Sequence, residues 1–193
     1  MRGCPAFAAI AALAVAVAGC TDPITAKPTY VAADRPESGA GPAASGCRLR
    51  VTQITDSRLD PTTIGSVAGR MVRGPADSRA WIESALASLK TGGIEMSFPA
   101  DVSPSSAGLS ASVTLVTAWV SSAATSKIAS IVLNVRYAAN GTALKQVNYR
   151  GSVSTLNWMS SDVEVQGMID DAMAQILATM GTDLKAICAS API

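Results

Sequence analysis

The sequence predicts an α+β domain with the order β-α-β-β-β-β-α, built as an antiparallel-rich sheet with two helices packed on one face. Two observations lead to it. Between Cys47 and Ser154, five stretches alternate apolar and polar residues with the period of two that a half-buried strand requires. Two further stretches repeat apolar residues every three or four positions, and helices with one apolar stripe each must bury it against the sheet.

The first strand sets Cys47, Leu49 and Val51 against Arg48, Arg50 and Thr52 and ends near Asp56. Gly65 to Gly74 reads as loop. Asp77 or Ser78 can cap a helix whose Trp81, Ile82, Ala85, Leu86 and Leu89 share a face, and Gly92-Gly93 stops it. Ile94, Met96 and Phe98 alternate as a second strand, followed by a turn at Pro104. Leu109 to Val120, Ile128 to Tyr137 and Thr142 to Ser154 supply three more. The last helix opens at Ser161, where Glu164 completes a capping box, and its apolar rhythm runs from Val165 to Cys188. Its Met168, Met173 and Met180 read as core rather than as an adaptable ligand groove.

Register can be argued at Asn140-Gly141. A two-residue turn there would pair Tyr137 with Leu144 and set Val135 and Leu133 beside Gln146 and Asn148, mixing core with solvent. A three-residue loop over Ala139-Asn140-Gly141, with Gly141 left-handed, instead puts Val147, Tyr149 and Val153 on the face of Leu133, Ile131 and Ala129. The second register is the expectation.

The chain begins with Met1-Arg2 and an apolar run whose core, Phe7 to Ala18, is twelve residues long. A spanning helix needs about 20, so this is an export signal rather than a permanent span. Its end, Val17-Ala18-Gly19-Cys20, resembles the bacterial lipobox, in which the cysteine is acylated and becomes the mature N-terminus. The expected organisation is a signal peptide over 1–19, a lipidated Cys20 and a Pro/Gly/Ala-rich tether over 20–46, one domain over 47–189 and a short tail over 190–193. As a flexible coil the tether would span about 28 Å, and about 80 Å when stretched. It reads either as a spacer that lets the domain reach a partner or as an unselected linker. Thr21 stands directly after Cys20 and Asp22 follows it, which favours an outer-membrane anchor facing the periplasm over inner-membrane retention.

Cysteine arithmetic gives a disulfide. Cys4 leaves with the signal peptide, Cys20 is acylated, and Cys47 and Cys188 remain as a pair in an oxidising compartment.

Charge and composition remove other functions. Fifteen basic residues balance fourteen acidic ones, with no Lys/Arg run to track phosphates, so nucleic acid is not an expected partner. The chain has no histidine, which excludes Ser-His-Asp and Cys-His machinery and the usual His-containing zinc and haem sites. A Ser/Lys hydrolase survives only weakly: there is no Ser-x-x-Lys, Gly-x-Ser-x-Gly or Gly-rich phosphate loop. No catalytic residue, cofactor or metal is expected. The carboxylates of the last helix, Glu164, Asp170, Asp171 and Asp183, read as a solvated face rather than a cation site.

Several segments together resemble the YajG-like family of bacterial lipoproteins, with a looser likeness to the auxiliary lipoproteins of ABC transporters. They are Ile54-Thr55-Asp56-Ser57-Arg58 at the first strand's end, Leu89-Lys90-Thr91-Gly92-Gly93-Ile94 at the first helix's close, Tyr149-Arg150-Gly151 late in the sheet, and Ser161-Asp162-Val163-Glu164 opening the last helix. The resemblance covers roughly Leu49 to Leu184. It implies an envelope lipoprotein and carries no catalytic residues with it.

Two places could make contacts. Asp56 and Arg58, two apart at a strand end, either form an ion pair or ligand site or serve a turn, with Arg58 solvated. On the sheet face away from the helices, Val116, Ala118, Val120, Ile128 and Val132 point outward, with Val116 opposite Val132 and Val120 opposite Ile128. That apolar patch reads as a protein-partner or self-association surface; strand propensity alone or cover by the tether are the competing explanations. The functional expectation is a membrane-anchored, non-enzymatic interaction or accessory module of the envelope. Lipid or peptidoglycan binding is the alternative.

Overall fold

The three long alternating stretches form the centre of the sheet in the computed structural model, which describes residues 22–27, 29–32, 47–98, 108–156 and 161–190. The signal peptide, Cys20, residues 33–46, the Pro104 turn and residues 191–193 lie outside the described residues. The strands are β1 (Ile24–Thr25), β2 (Arg48–Asp56), β3 (Thr63–Val67), β4 (Arg70–Arg73), β5 (Glu95–Ser97), β6 (Leu109–Ser122), β7 (Ser126–Ala139) and β8 (Thr142–Leu156). The helices are α1 (Ser78–Ala87), continued by a 3-10 turn over Ser88–Gly92, and α2 (Asp162–Ser190). Ser190, expected in the tail, is therefore helical.

β6, β7 and β8 form an antiparallel meander. The other edge of β6 is shared: its first half takes β2 in parallel, with β5 beyond, and its end takes β3 in parallel, with β4 and then β1 beyond. The sheet thus has an upper end, with the β7–β8 turn, and a lower end, with the β3–β4 and β6–β7 turns. Both helices bury their stripes in one core with the inward strand residues, among them Trp81, Leu86, Leu115, Leu133, Met173 and Met180. Met168, Met173 and Met180 are core, as their spacing suggests.

Local chemistry explains the helix ends. Asp77 caps α1 by accepting a hydrogen bond from the Ala80 amide at 3.0 Å, and Gly93, left-handed at φ 82°, closes the 3-10 turn. At α2, Ser161 Oγ accepts from the Glu164 amide at 3.2 Å, but only this half of the expected capping box forms, because the Glu164 carboxylate is paired with Lys127. The Tyr149-Arg150-Gly151 element has a packing reason. A Cβ on Gly151 would lie 1.8 Å from the Ala172 carbonyl oxygen, so glycine is what lets α2 lie close on β8.

Four expectations need correction. Gly65 to Gly74 is not a loop: it lies within the β3–β4 hairpin, whose Ile64, Val67 and Val72 are buried. Gly65, at φ 123°, has its missing Cβ 1.9 Å from the Val120 carbonyl oxygen, so the glycine that suggested a loop permits strand pairing. The start of the tether is also structured, because Ile24–Thr25 pairs in parallel with Val72–Arg73 and Ile24 is buried. At the β7–β8 hairpin the turn has two residues, Asn140 and Gly141 both at positive φ, with Ala139 opposite Thr142. An irregularity at Leu144 then restores the expected faces, so Val135 meets Val147 and Leu133 meets Tyr149. Finally, β6 carries a bulge at Val116: Leu115 pairs with Leu133 and Thr117 with Val132. Beyond it the alternation inverts, so Ala118 and Val120 turn into the core and Trp119 turns outward. The expected pairings of Val116 with Val132 and of Val120 with Ile128 are replaced accordingly.

Candidate functional site

The bulge exposes a group of large apolar side chains. Val116 is 43% exposed, Trp119 51% and Ile128 42%, all on the face away from the helices. Val132 is half-buried on the same face, whereas Val120 has left it. Beside Val116 and Trp119 lies an open cleft of about 390 Å³, walled on its other side by the loop that follows β2 and carrying the fully exposed Leu59.

That loop is held by polar contacts. Ser57 donates to the Leu115 carbonyl from both its amide and its Oγ, each at 3.0 Å, which ties the end of β2 to the bulge. Arg58 grips Asp56 through Nε at 2.9 Å and Nη2 at 2.6 Å, and its amide donates to Asp56 Oδ1 at 3.1 Å. Nη2 also donates to the Pro61 carbonyl at 3.0 Å, and Ser78 Oγ donates to Asp56 Oδ2 at 2.7 Å, joining the loop to the first residue of α1. The ion pair and the turn both form, but Arg58 is not solvated: its side chain is 5% exposed, against 18% for Asp56. Burial pushes the Asp56 carboxyl upward, and the hydrogen bonds from Arg58 and Ser78 outweigh it, so the group lies below its ordinary range. Asp60 is lowered by bonds from the Thr62 side chain and amide, which close a second small turn. The Asp56–Arg58 pair thus frames the cleft, in which the apolar Leu59, Val116 and Trp119 are exposed beside Asp60 and Thr63.

A second network was not legible in the sequence. Tyr149 donates to Asp183 Oδ2 at 2.8 Å, Lys145 Nζ donates to the same oxygen at 3.1 Å, and the Tyr137 and Tyr149 hydroxyls are 3.0 Å apart in the core. Burial pushes the Tyr137 hydroxyl up to about 12 and raises Tyr149 further, while the bonds from Tyr149 and Lys145 hold Asp183 below its usual value. The only available signal was that Tyr137 and Tyr149 fall on one face once the hairpin register is set.

Three of the four carboxylates singled out on α2 are engaged with specific partners and are not simply solvated. Glu164 pairs with the fully buried Lys127 at 2.6 Å, and Asp183 sits in the tyrosine network. Asp170 is buried, accepts from Gln166 Nε2 at 3.0 Å, and is raised by that burial. Among the described residues no cluster of His, Cys, Asp or Glu is placed to hold a metal ion, and no helix is long and apolar enough to cross a membrane. Cys47 and Cys188 are disulfide-bonded, with Cα atoms 5.7 Å apart.

No protein-family model and no curated protein matches the chain. Among solved structures, the fold is similar to that of a Xanthomonas campestris protein of the family-model DUF330, with a TM-score of 0.57 and 13% identity over 86% of this chain and 98% of that one. It is also similar to an uncharacterised protein at a TM-score of 0.50 and 12% identity, covering 83% of this chain and 98% of that one. A minor lipoprotein from Acinetobacter baumannii aligns at a TM-score of 0.44 and 7% identity over 72% of this chain and 90% of its own. At such identities the likeness is one of fold.

Proposed function

We propose that the protein is an envelope lipoprotein, acylated at Cys20 and anchored in the outer membrane facing the periplasm, whose domain is a non-enzymatic module that docks another envelope protein. The observation that carries the docking role is the cleft beside the β6 bulge. Large apolar side chains at Leu59, Val116 and Trp119 are exposed together on a frame fixed by Ser57, Arg58 and Asp56. Clustered exposed apolar residues on a rigid frame mark contact surfaces, and an open cleft suits a protein side chain better than an enclosed lipid. The anchoring rests on the lipobox-like Val17-Ala18-Gly19-Cys20, in line with the resemblance to YajG-like lipoproteins.

Two variants test the reading separately. Cys20→Ser should leave uncleaved precursor and abolish acylation; normal maturation of that variant refutes the anchor. Val116→Thr with Trp119→Thr keeps β-branched or strand-compatible shapes while removing apolar surface. Crosslinking in intact membranes should then lose the partner bands of the parent protein, and unchanged bands in a folded variant refute the docking surface.

A further inference from the structure

We infer that the lower end of the sheet rests on the lipid surface, so that the domain is held against the membrane and not projected from it. The inference depends on acylation of Cys20, proposed above, and adds how the domain sits once anchored.

The distance available to the anchor is short. The Asp22 carbonyl accepts a hydrogen bond from Arg70 Nε at 2.9 Å, and Ile24–Thr25 is paired with β4. Two residue steps from Cys20 to Asp22 reach at most about 7 Å, against about 80 Å for a free tether running to residue 46. Further contacts hold this segment down: the Lys27 amide donates to Gln166 Oε1 at 2.8 Å and the Tyr30 amide to Ser84 Oγ at 2.9 Å.

The direction is fixed as well. β1 runs parallel to β4 with Ile24 opposite Val72, so the chain comes in from the Arg70 side, at the lower end. Arg70 Nη2 reaches Asp162 Oδ1 at 3.0 Å, which places the start of α2 beside Asp22. The next residue, Val163, is 81% exposed, and Leu156, opposite Ser126 at the end of β8, is 60% exposed. Acyl chains leaving within about 7 Å of Asp22 therefore bring Val163 to the headgroup region, and Leu156 lies at the same lower end, on the far edge strand β8. The neighbouring cations, Arg70 and Lys127, are already paired with Asp162 and Glu164, so among the described residues this end has no basic cluster that would make the contact depend on anionic lipid.

The experiment uses the full acylated chain in phosphatidylcholine vesicles that carry a headgroup-attached quencher. A thiol-reactive fluorophore is placed at Val163→Cys in one preparation and, at the upper end, at Thr142→Cys in another. The label at 163 should be quenched severalfold more than the label at 142, and equally so when phosphatidylglycerol is included. A flexible Gly/Ser insert between Thr21 and Asp22 should abolish the difference while membrane attachment persists. An anchored protein with equal quenching at both labels, or a difference that survives the insert, overturns this inference and leaves the acylation reading standing. Mass spectrometry showing no acyl group on Cys20 overturns both.

Discussion

The upper and lower ends of the sheet are finished in different ways. At the upper end a disulfide joins the residue before β2 to the last turn of α2, and Tyr137, Tyr149, Asp183 and Lys145 form a continuous chain of hydrogen bonds from core to surface. At the lower end closure depends on two ion pairs and on a strand of two residues, and Leu156 and Val163 are left in solvent. The end next to the expected anchor keeps apolar side chains available, as a surface that meets another phase would.

The largest test of this contrast is removal of the upper staple. Replacing Cys47 and Cys188 by Ala opens a loop closed over a separation of 141 residues and should cost about 5 kcal/mol on the chain-entropy account. Urea unfolding of the double variant beside the parent protein checks it, and a loss below about 1 kcal/mol would mean that the upper end is held by packing alone. At the lower end, Glu164→Gln deprives the buried Lys127 of its carboxylate and should cost about 2–3 kcal/mol, reduced from a fully buried pair because Glu164 is partly solvated. Lys127→Met should recover most of that loss in the same assay, since an apolar residue of similar length needs no counter-charge.

The smallest effect is also the most specific. Tyr149→Phe removes a donor to a carboxylate and should cost about 2 kcal/mol near neutrality. Asp183 has a folded value below the ordinary 3.8, so its contribution is complete above that pH and drains away as the pH falls through the lowered value. The parent and variant stabilities should converge in that acid range. Tyr137 has the opposite sign: its folded value is raised from 10.0 to about 12, so its share of stability is complete below pH 10 and is lost as the pH climbs toward 12. Equilibrium unfolding across both ranges checks the signs, and a pH-independent gap between parent and Tyr149→Phe would remove Asp183 from the explanation.

What could be read from the sequence follows the same geography. The meander and both helices were legible because their patterns are local and long: α1 and α2 bury the stripes that their spacing defines, and β7 alternates without interruption from Lys127 to Tyr137. β1 and the β3–β4 hairpin were not, because each offers at most three buried apolar side chains, and parallel partners distant in sequence complete the pairing of β1 and β3. The bulge was hidden for a different reason. Leu115-Val116-Thr117-Ala118-Trp119-Val120 is apolar or β-compatible at every position, so either phase satisfies the local pattern, and the phase adopted shows only in the pairing of β6 with β7 and in the Ser57 bonds to Leu115. Of the residues expected on that face, Val116 and Ile128 are exposed and Val132 is half-buried there, whereas Ala118 and Val120 turn into the core and Trp119 is exposed instead. Asp56 and Arg58, read as either an ion pair or ligand site or a turn, form both the ion pair and the turn, with Arg58 buried instead of solvated.

The disulfide also sets a timetable. Cys47 precedes β2 and every later strand, and its partner Cys188 follows 141 positions on, after all of them. Every strand of the sheet is available before Cys188, and the thiol of Cys47 waits while they assemble. Because Cys188 reaches it only when α2 has been laid across β8 up to its last turn, oxidation of this pair records that the helix is seated. A population sampled during folding would carry its history in one bond: in oxidised molecules the helix has closed over the sheet.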